Sequence, residues 1–236
     1  MMETKRGFII YFDILGYKNV LLNNTKEEND KIADILNRFS EFYLNANIAL
    51  HFGNKFDKSK LFIRAFSDNF LVLYELEEND YMGLATLQLV ATRIQYQFLH
   101  VGLLTRGSIS FGEIQYNDLI VFGVDLIHAV ELEEGHRMPS IVVDHALVEV
   151  FEGKEIPYKE EVALFDVWPH SSLDYQDCID GINRFLYYMN KSYVDNSVFD
   201  KIRWVIKKLN DYFSKDQKVF YTLKVDYEYC LEEGVE

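Results

Sequence analysis

The sequence predicts an α+β domain, an antiparallel sheet with helices on one face, followed by a helical extension at the C-terminus. Three observations predict it. The run Gly7-FIIYFD is β-branched and aromatic and reads as a buried strand. Two further apolar runs, at 61–66 and 70–74, flank Ser67-Asp68-Asn69, and those three residue types suit a tight turn, so the pair reads as a hairpin. On either side of the hairpin, apolar residues recur at helical spacing.

Taken in order, the first strand ends near Asp13, and Gly16 permits a tight turn. From 26 to 50 the residues Ile32, Ile35, Leu36, Phe39, Phe42, Tyr43 and Ala46 form one apolar stripe. A polar stretch, 51–60, leads into the hairpin. A second helix is expected over 80–101, with Leu84, Leu87, Val90, Ile94 and Phe98 on its apolar side. A strand follows over 103–114, where Gly107 and Gly112 point to close approach of other groups. Residues 122–133 read as a helix opened by Gly123, and 139–144 as a strand. The order β-α-β-β-α-β is that of a ferredoxin-like or palm arrangement. Residues 145–168 add a short helix and a strand, which closes a first unit at 1–168. After Pro169 the pattern changes: two amphipathic helices at 175–192 and 197–214 and an alternating stretch at 217–230 form an extension over 169–236. It is expected to pack on the same domain or on a partner subunit.

Composition narrows the function classes. The 236-residue chain carries a net charge of −14, which opposes broad contact with a phosphate backbone. A nucleotide remains possible if metal ions and a few placed Lys or Arg offset its charge. Cys178 and Cys230 lie far apart and no CxxC occurs, and the apolar run at the start is too short to span a membrane. The expectation is a cytoplasmic protein with reduced thiols, acting on neither nucleic acid nor membrane. The six histidines show no metal-ligand spacing. Glu131, Glu133 and Glu134 read as the solvated end of a helix.

Asp13 and Asp68 each sit where a strand runs out. On neighbouring strands, two such carboxylates suit Mg²⁺, which takes one or two carboxylates plus substrate phosphates. The loop Ile14-Leu15-Gly16-Tyr17-Lys18 opens toward a helix, and its N–H groups and Lys18 could receive phosphate oxygens. Ordinary turn chemistry explains either aspartate taken alone.

These residues resemble the class III nucleotidyl cyclase catalytic domain. That family's strand ending F-x-D-[IL]-x-G-[FY] is matched by Phe12-Asp-Ile-Leu-Gly-Tyr17, with one residue fewer before the Asp. Its K-x-x-G-D hairpin is matched by Arg64-Ala-Phe-Ser-Asp68, and its R-[VI]-G-[IL]-[HS]-x-G strand by Arg106-Gly-Ser-Ile-Ser-Phe-Gly112. Gly123-Val-Asp-Leu-Ile-His-Ala-Val-Glu-Leu132 and Ser140-Ile-Val-Val-Asp144 follow in the family's order, so the resemblance covers about residues 7–168. It implies two Mg²⁺ or Mn²⁺ ions on Asp13, Asp68 and the Ile14 carbonyl, attack of a ribose 3′-hydroxyl on the α-phosphorus with release of pyrophosphate, and a homodimer.

The departures carry information. Arg64 and Ile120 stand where the family reads the purine with Lys and Asp, and Ile127 and Glu131 stand where it places a transition-state Asn and Arg. Arg106, Arg137 and Arg64 are the candidates to replace that cation. The strings SDN, RGxISxG, FGxxLIxAxELE and PxIVV resemble one subgroup, the bacterial pyrimidine cyclases of Pycsar anti-phage defence, although Val130 and Ser140 stand where the subgroup has Tyr and Arg. That resemblance implies UTP or CTP as substrate, cyclic UMP or cyclic CMP as product, and a separate effector that binds the cyclic nucleotide. Two other readings remain open: a catalytically degenerate domain that binds nucleotide or a protein partner, and a polymerase-like or diguanylate-cyclase palm.

Overall fold

The structure is a computed structural model that describes residues 2–38, 53–150, 161–162, 175–190 and 196–214. Its central strand is β1, Glu3–Ile14. Residues Phe8 to Phe12 are all buried, because β1 has a neighbour on each edge and cover on each face. Phe8, Ile10 and Phe12 point to one face, Ile9 and Tyr11 to the other. Helices α1 (Tyr17–Asn23) and α2 (Lys26–Arg38) lead toward the hairpin β2 (Leu61–Phe66) and β3 (Asn69–Tyr74). The remainder of the first expected helix lies outside the described residues. Helix α3 (Tyr81–His100) is capped by Asp80, whose carboxylate accepts from the Gly83 N–H at 2.9 Å. Then come β4 (Thr105–Tyr116), β5 (Val121–Phe122), α4 (Val124–Gly135), β6 (Ile141–Val143), α5 (His145–Val150), β7 (Glu161–Val162), α6 (Tyr175–Asn190) and α7 (Asn196–Ser214). The expected final strand at 217–230 lies outside the described residues.

The strands follow the order β2-β3-β1-β4-β6-β7, with β5 paired to β4. Its first four members, read as β4-β1-β3-β2, are each antiparallel to their neighbours and have the ferredoxin-like order. The close approach foreseen at the glycines is present. A Cβ on Gly107 would strike the Tyr11 carbonyl oxygen, and one on Gly112 would strike the Asp125 side chain.

The expected α+β antiparallel sheet is present, extended by one parallel pairing, since β6 runs parallel to β4. A parallel neighbour needs a crossover, and the segment holding α4 supplies it. One expectation needs correction: the helices do not share one face. α3 packs on the Phe8, Ile10 and Phe12 side, where residues of α6 (Cys178, Ile182, Phe185) and α7 (Ile202, Val205, Leu209) join the same core. α4 covers the Ile9 and Tyr11 side through Ala129, flanked by Leu126 and Val130. The cause is visible in β1: a strand apolar on both faces must be covered on both.

Candidate active site

The site lies on the α4 face, where β1 ends. Asp13 pairs across the sheet with Asn69 of β3 on one side and Arg106 of β4 on the other. The Ile14 N–H donates to the Asp68 carbonyl at 3.0 Å and so ties the hairpin turn to the end of β1. The period of two places Tyr11, Asp13, Asn69, Arg106 and Ser108 on one side of the sheet. Ser108 donates its hydroxyl to the Ala129 carbonyl at 2.6 Å and pins α4 above this row.

Arg106 is held from three directions. Its Nε–H points at Asp13 Oδ2 at 3.2 Å, and Nη1 donates to the His136 carbonyl at 3.3 Å. The Glu133 carboxylate lies against the same Nε but off the line of its N–H, so it forms an ion pair without a hydrogen bond. Glu133 is 2% exposed, which corrects its reading as part of a solvated helix end; Glu131 and Glu134 are exposed. The reason is periodicity. Glu133 falls on the stripe of Leu126, Ala129 and Val130 that faces the sheet, and that spacing is the signal that marks it.

A second chain of contacts orients Asp68. The Tyr11 hydroxyl donates to Asn69 Oδ1, and Asn69 Nδ2 donates to Asp68 Oδ1 at 3.1 Å. Tyr11 and Asn69 were not among the candidates; only their place on the row beside Asp13 reveals them.

The electrostatics reflect crowded carboxylates. Burial pushes the Asp13 carboxyl up, the Arg106 charge pulls it back, and Asp68 pushes it up again. Lys201 of α7 also bears on Asp13 and lowers it, so the C-terminal helices reach the site electrostatically. Glu133 is pushed up to about 7, first by burial, against the pull of Arg106, and further by Asp13, Glu134 and Asp68. Burial, then Glu133, Asp13 and Asp68, hold the Tyr11 hydroxyl well above its usual range. Burial and Asp68 raise Tyr17.

The other expected residues fall as follows. Tyr17 and Lys18 open the seven-residue α1, with Gly16 before it in the left-handed region at φ 74°. The Ile14 and Leu15 N–H groups are bonded to the Asp68 and Leu104 carbonyls, so those two amides belong to the sheet framework. Arg64 is committed elsewhere: its two terminal nitrogens donate to the Asn117 and Asp118 carbonyls at 2.8 and 3.2 Å. Ile120 ends that same turn, its N–H bonded to Asn117 Oδ1, so Arg64 and Ile120 share a neighbourhood. Arg137 is exposed and follows His136, whose carbonyl holds Arg106. Ile127 and Glu131 are exposed on α4.

Among the described residues, no group of three or more His, Cys, Asp or Glu is arranged to hold a metal ion by itself. Asp13 and Asp68 remain a two-carboxylate set, which fits an ion completed by water and phosphate oxygens. Asp13 and Glu133 share one guanidinium with Asp68 close enough to raise both, and Glu133 Oε1 has no hydrogen-bond partner among the described residues. That excess of buried negative charge is the observation that fits a cation.

No model of a known protein family matches the chain, and no curated protein matches it. Solved structures similar to it include the guanylyl cyclase Cya2, at 17% identity and TM-score 0.47, covering 63% of this chain and 79% of that one. The adenylyl cyclase CyaB from P. aeruginosa is 18% identical with TM-score 0.45, covering 65% and 84%. An adenylate/guanylate cyclase/hydrolase from Silicibacter pomeroyi is 19% identical with TM-score 0.46, covering 67% and 87%. Among the described residues, no helix is long and apolar enough to cross a membrane.

Proposed function

We propose that this chain is a nucleotidyl cyclase that converts UTP or CTP to the 3′,5′-cyclic monophosphate and pyrophosphate, as a second messenger in anti-phage defence. One observation carries the reading: Asp13 and Asp68 meet at the end of β1 beside Arg106. The pyrimidine and the defence role are supported by the sequence strings, and by Arg64 and Ile120 standing at one turn in place of the purine readers.

Asp13, Asp68 and the Ile14 carbonyl would hold two Mg²⁺ or Mn²⁺ ions. When bound, such ions stabilise the attacking and leaving oxygens of an in-line displacement at phosphorus. The bond formed joins the ribose 3′-oxygen to the α-phosphorus; the bond broken releases pyrophosphate, and the hydroxyl proton is lost to solvent. Arg106 supplies a fixed positive charge for the phosphates. The Tyr11 and Asn69 relay holds Asp68 in one orientation. Tyr17, which feels the Asp68 charge, would with Gly16 and Lys18 serve the distal phosphates. A second copy of the chain is the expected partner. Leu119 at 90% exposure, Ile120, Phe122, Val124 and Ile127 together offer an apolar surface at the β4–β5 turn and the start of α4.

The test is incubation of the purified protein with UTP and with CTP plus Mn²⁺, with separation of the products. Cyclic UMP or cyclic CMP supports the reading; recovery of intact UTP and CTP defeats it. A second reading has its own observation: Ile127 and Glu131 are exposed where a polar and a cationic side chain would serve the transition state. A binding domain of this kind would show saturable triphosphate binding and no turnover.

A further inference from the structure

We propose that Glu133 is a positioning residue: it keeps Arg106 in the site once a divalent cation occupies Asp13. The inference rests on the nucleotide reading above. Arg106 directs its Nε–H at Asp13, one of the two carboxylates assigned to the metal. A cation on Asp13 competes for that acceptor and repels the guanidinium. Two anchors then remain, the His136 carbonyl and the Glu133 carboxylate. Only Glu133 carries a charge that opposes the repulsion.

The geometry fits this task. Glu133 is buried, so its attraction for Arg106 acts in a low dielectric. Its backbone is fixed, because Ser108, two residues along β4 from Arg106, bonds the Ala129 carbonyl one turn before Glu133. Among the described residues none accepts from Arg106 Nη2, which leaves that donor for a phosphate oxygen. A buried carboxylate with an oxygen that accepts no hydrogen bond among the described residues is a poor choice for stability alone, and a role in holding Arg106 by charge accounts for it.

The test uses the full chain with Mn²⁺ and inorganic triphosphate as the probe, followed by calorimetry. Arg106→Ala and Glu133→Gln should each weaken triphosphate about tenfold or more, the loss expected for a charge-assisted hydrogen bond. The double variant should bind no more weakly than Arg106→Ala, and Glu133→Asp, which keeps the charge, should lose less than Glu133→Gln. Binding of Mn²⁺ alone, followed by electron paramagnetic resonance, should be unchanged in Glu133→Gln. Circular dichroism establishes that each variant is folded, and Arg106→Lys serves if Arg106→Ala is not. Additive losses, or full affinity in Glu133→Gln beside a loss in Arg106→Ala, overturn the role of Glu133 and spare the nucleotide reading. Loss of Mn²⁺ in Glu133→Gln also overturns it, by making Glu133 a ligand. Failure of the wild type to bind Mn²⁺ and triphosphate removes the nucleotide reading and this role together.

Discussion

Replacing Glu133 with Gln should make the metal-free protein more stable at pH 8 and much less so at pH 5. Burial lifts this carboxyl from an ordinary 4.5 to about 7 in the folded chain. The unfolded chain therefore releases its proton near pH 4.5, while the folded chain keeps it until about pH 7. Between those values the folded state binds more protons, so stability falls as pH rises, and it is flat above. At about 1.4 kcal/mol per pH unit the loss amounts to roughly 3 kcal/mol. Glutamine keeps the shape and cannot ionise, so it avoids that loss. Asp13 is displaced in the same direction, so the wild-type profile alone is not diagnostic. The difference between the two proteins isolates Glu133, whose neighbours Arg106, Asp13, Glu134 and Asp68 are common to both. Urea unfolding in EDTA at pH 5, 6, 7 and 8 measures it. The variant should gain up to about 3 kcal/mol by pH 8, and Mn²⁺ should shrink the gain by favouring the ionised carboxylate. A variant less stable than wild type at pH 8, or a difference that does not vary with pH, refutes the placement of Glu133 in a buried, electronegative cluster.

Three further outcomes follow from contacts around the site. Arg106→Ala leaves Asp13 and Glu133 without their cation and should cost about 3 kcal/mol in metal-free urea unfolding; Mn²⁺ should restore part of it, and no recovery would argue against a metal at Asp13. Asn69→Ala strands the buried Tyr11 hydroxyl and frees Asp68, so it should cost about 1–3 kcal/mol and lower turnover. Adding Tyr11→Phe to Asn69→Ala should recover stability in a thermal melt and not turnover. Gly107→Ala drives a Cβ into the Tyr11 carbonyl and against the Phe12 ring at 3.0 Å, with a cost of about 1–3 kcal/mol by denaturant. Gly135→Ala, where a Cβ meets nothing within 4 Å, is the matched control and should be neutral or slightly stabilising.

The parts of the fold that the sequence foretold are those with strong local signals. FIIYFD could be little other than a buried strand, and Ser67-Asp68-Asn69 between two apolar runs fixed the hairpin. Once β1 and the hairpin are neighbours, the Asp68 turn comes to the end of β1, where its carbonyl accepts from the Ile14 N–H, so the nearness of the two acidic positions was legible as well. Missed features depend on non-local packing. The three residues of β6 carry no signal for a parallel partner. The side on which α4 lies follows from the need to cover Ile9 and Tyr11, which becomes visible only when both faces of β1 are considered. Glu133 was hidden inside a run of acidic residues, and charge count favoured solvent where spacing from Ala129 favoured the core. Arg64 reads as a free cation in sequence, yet the β4–β5 turn claims it through two carbonyls.

The most direct measurement is product formation from ATP, GTP, CTP and UTP, each with Mn²⁺, by wild type and by folded Asp13→Ala and Asp68→Ala proteins. Mass spectrometry of the nucleotides and release of pyrophosphate provide the readout. The expected result is cyclic UMP or cyclic CMP with equimolar pyrophosphate from the wild type, and none from either variant. No cyclic product from any of the four triphosphates, or undiminished product from either variant, would contradict a metal-dependent cyclase site at Asp13 and Asp68.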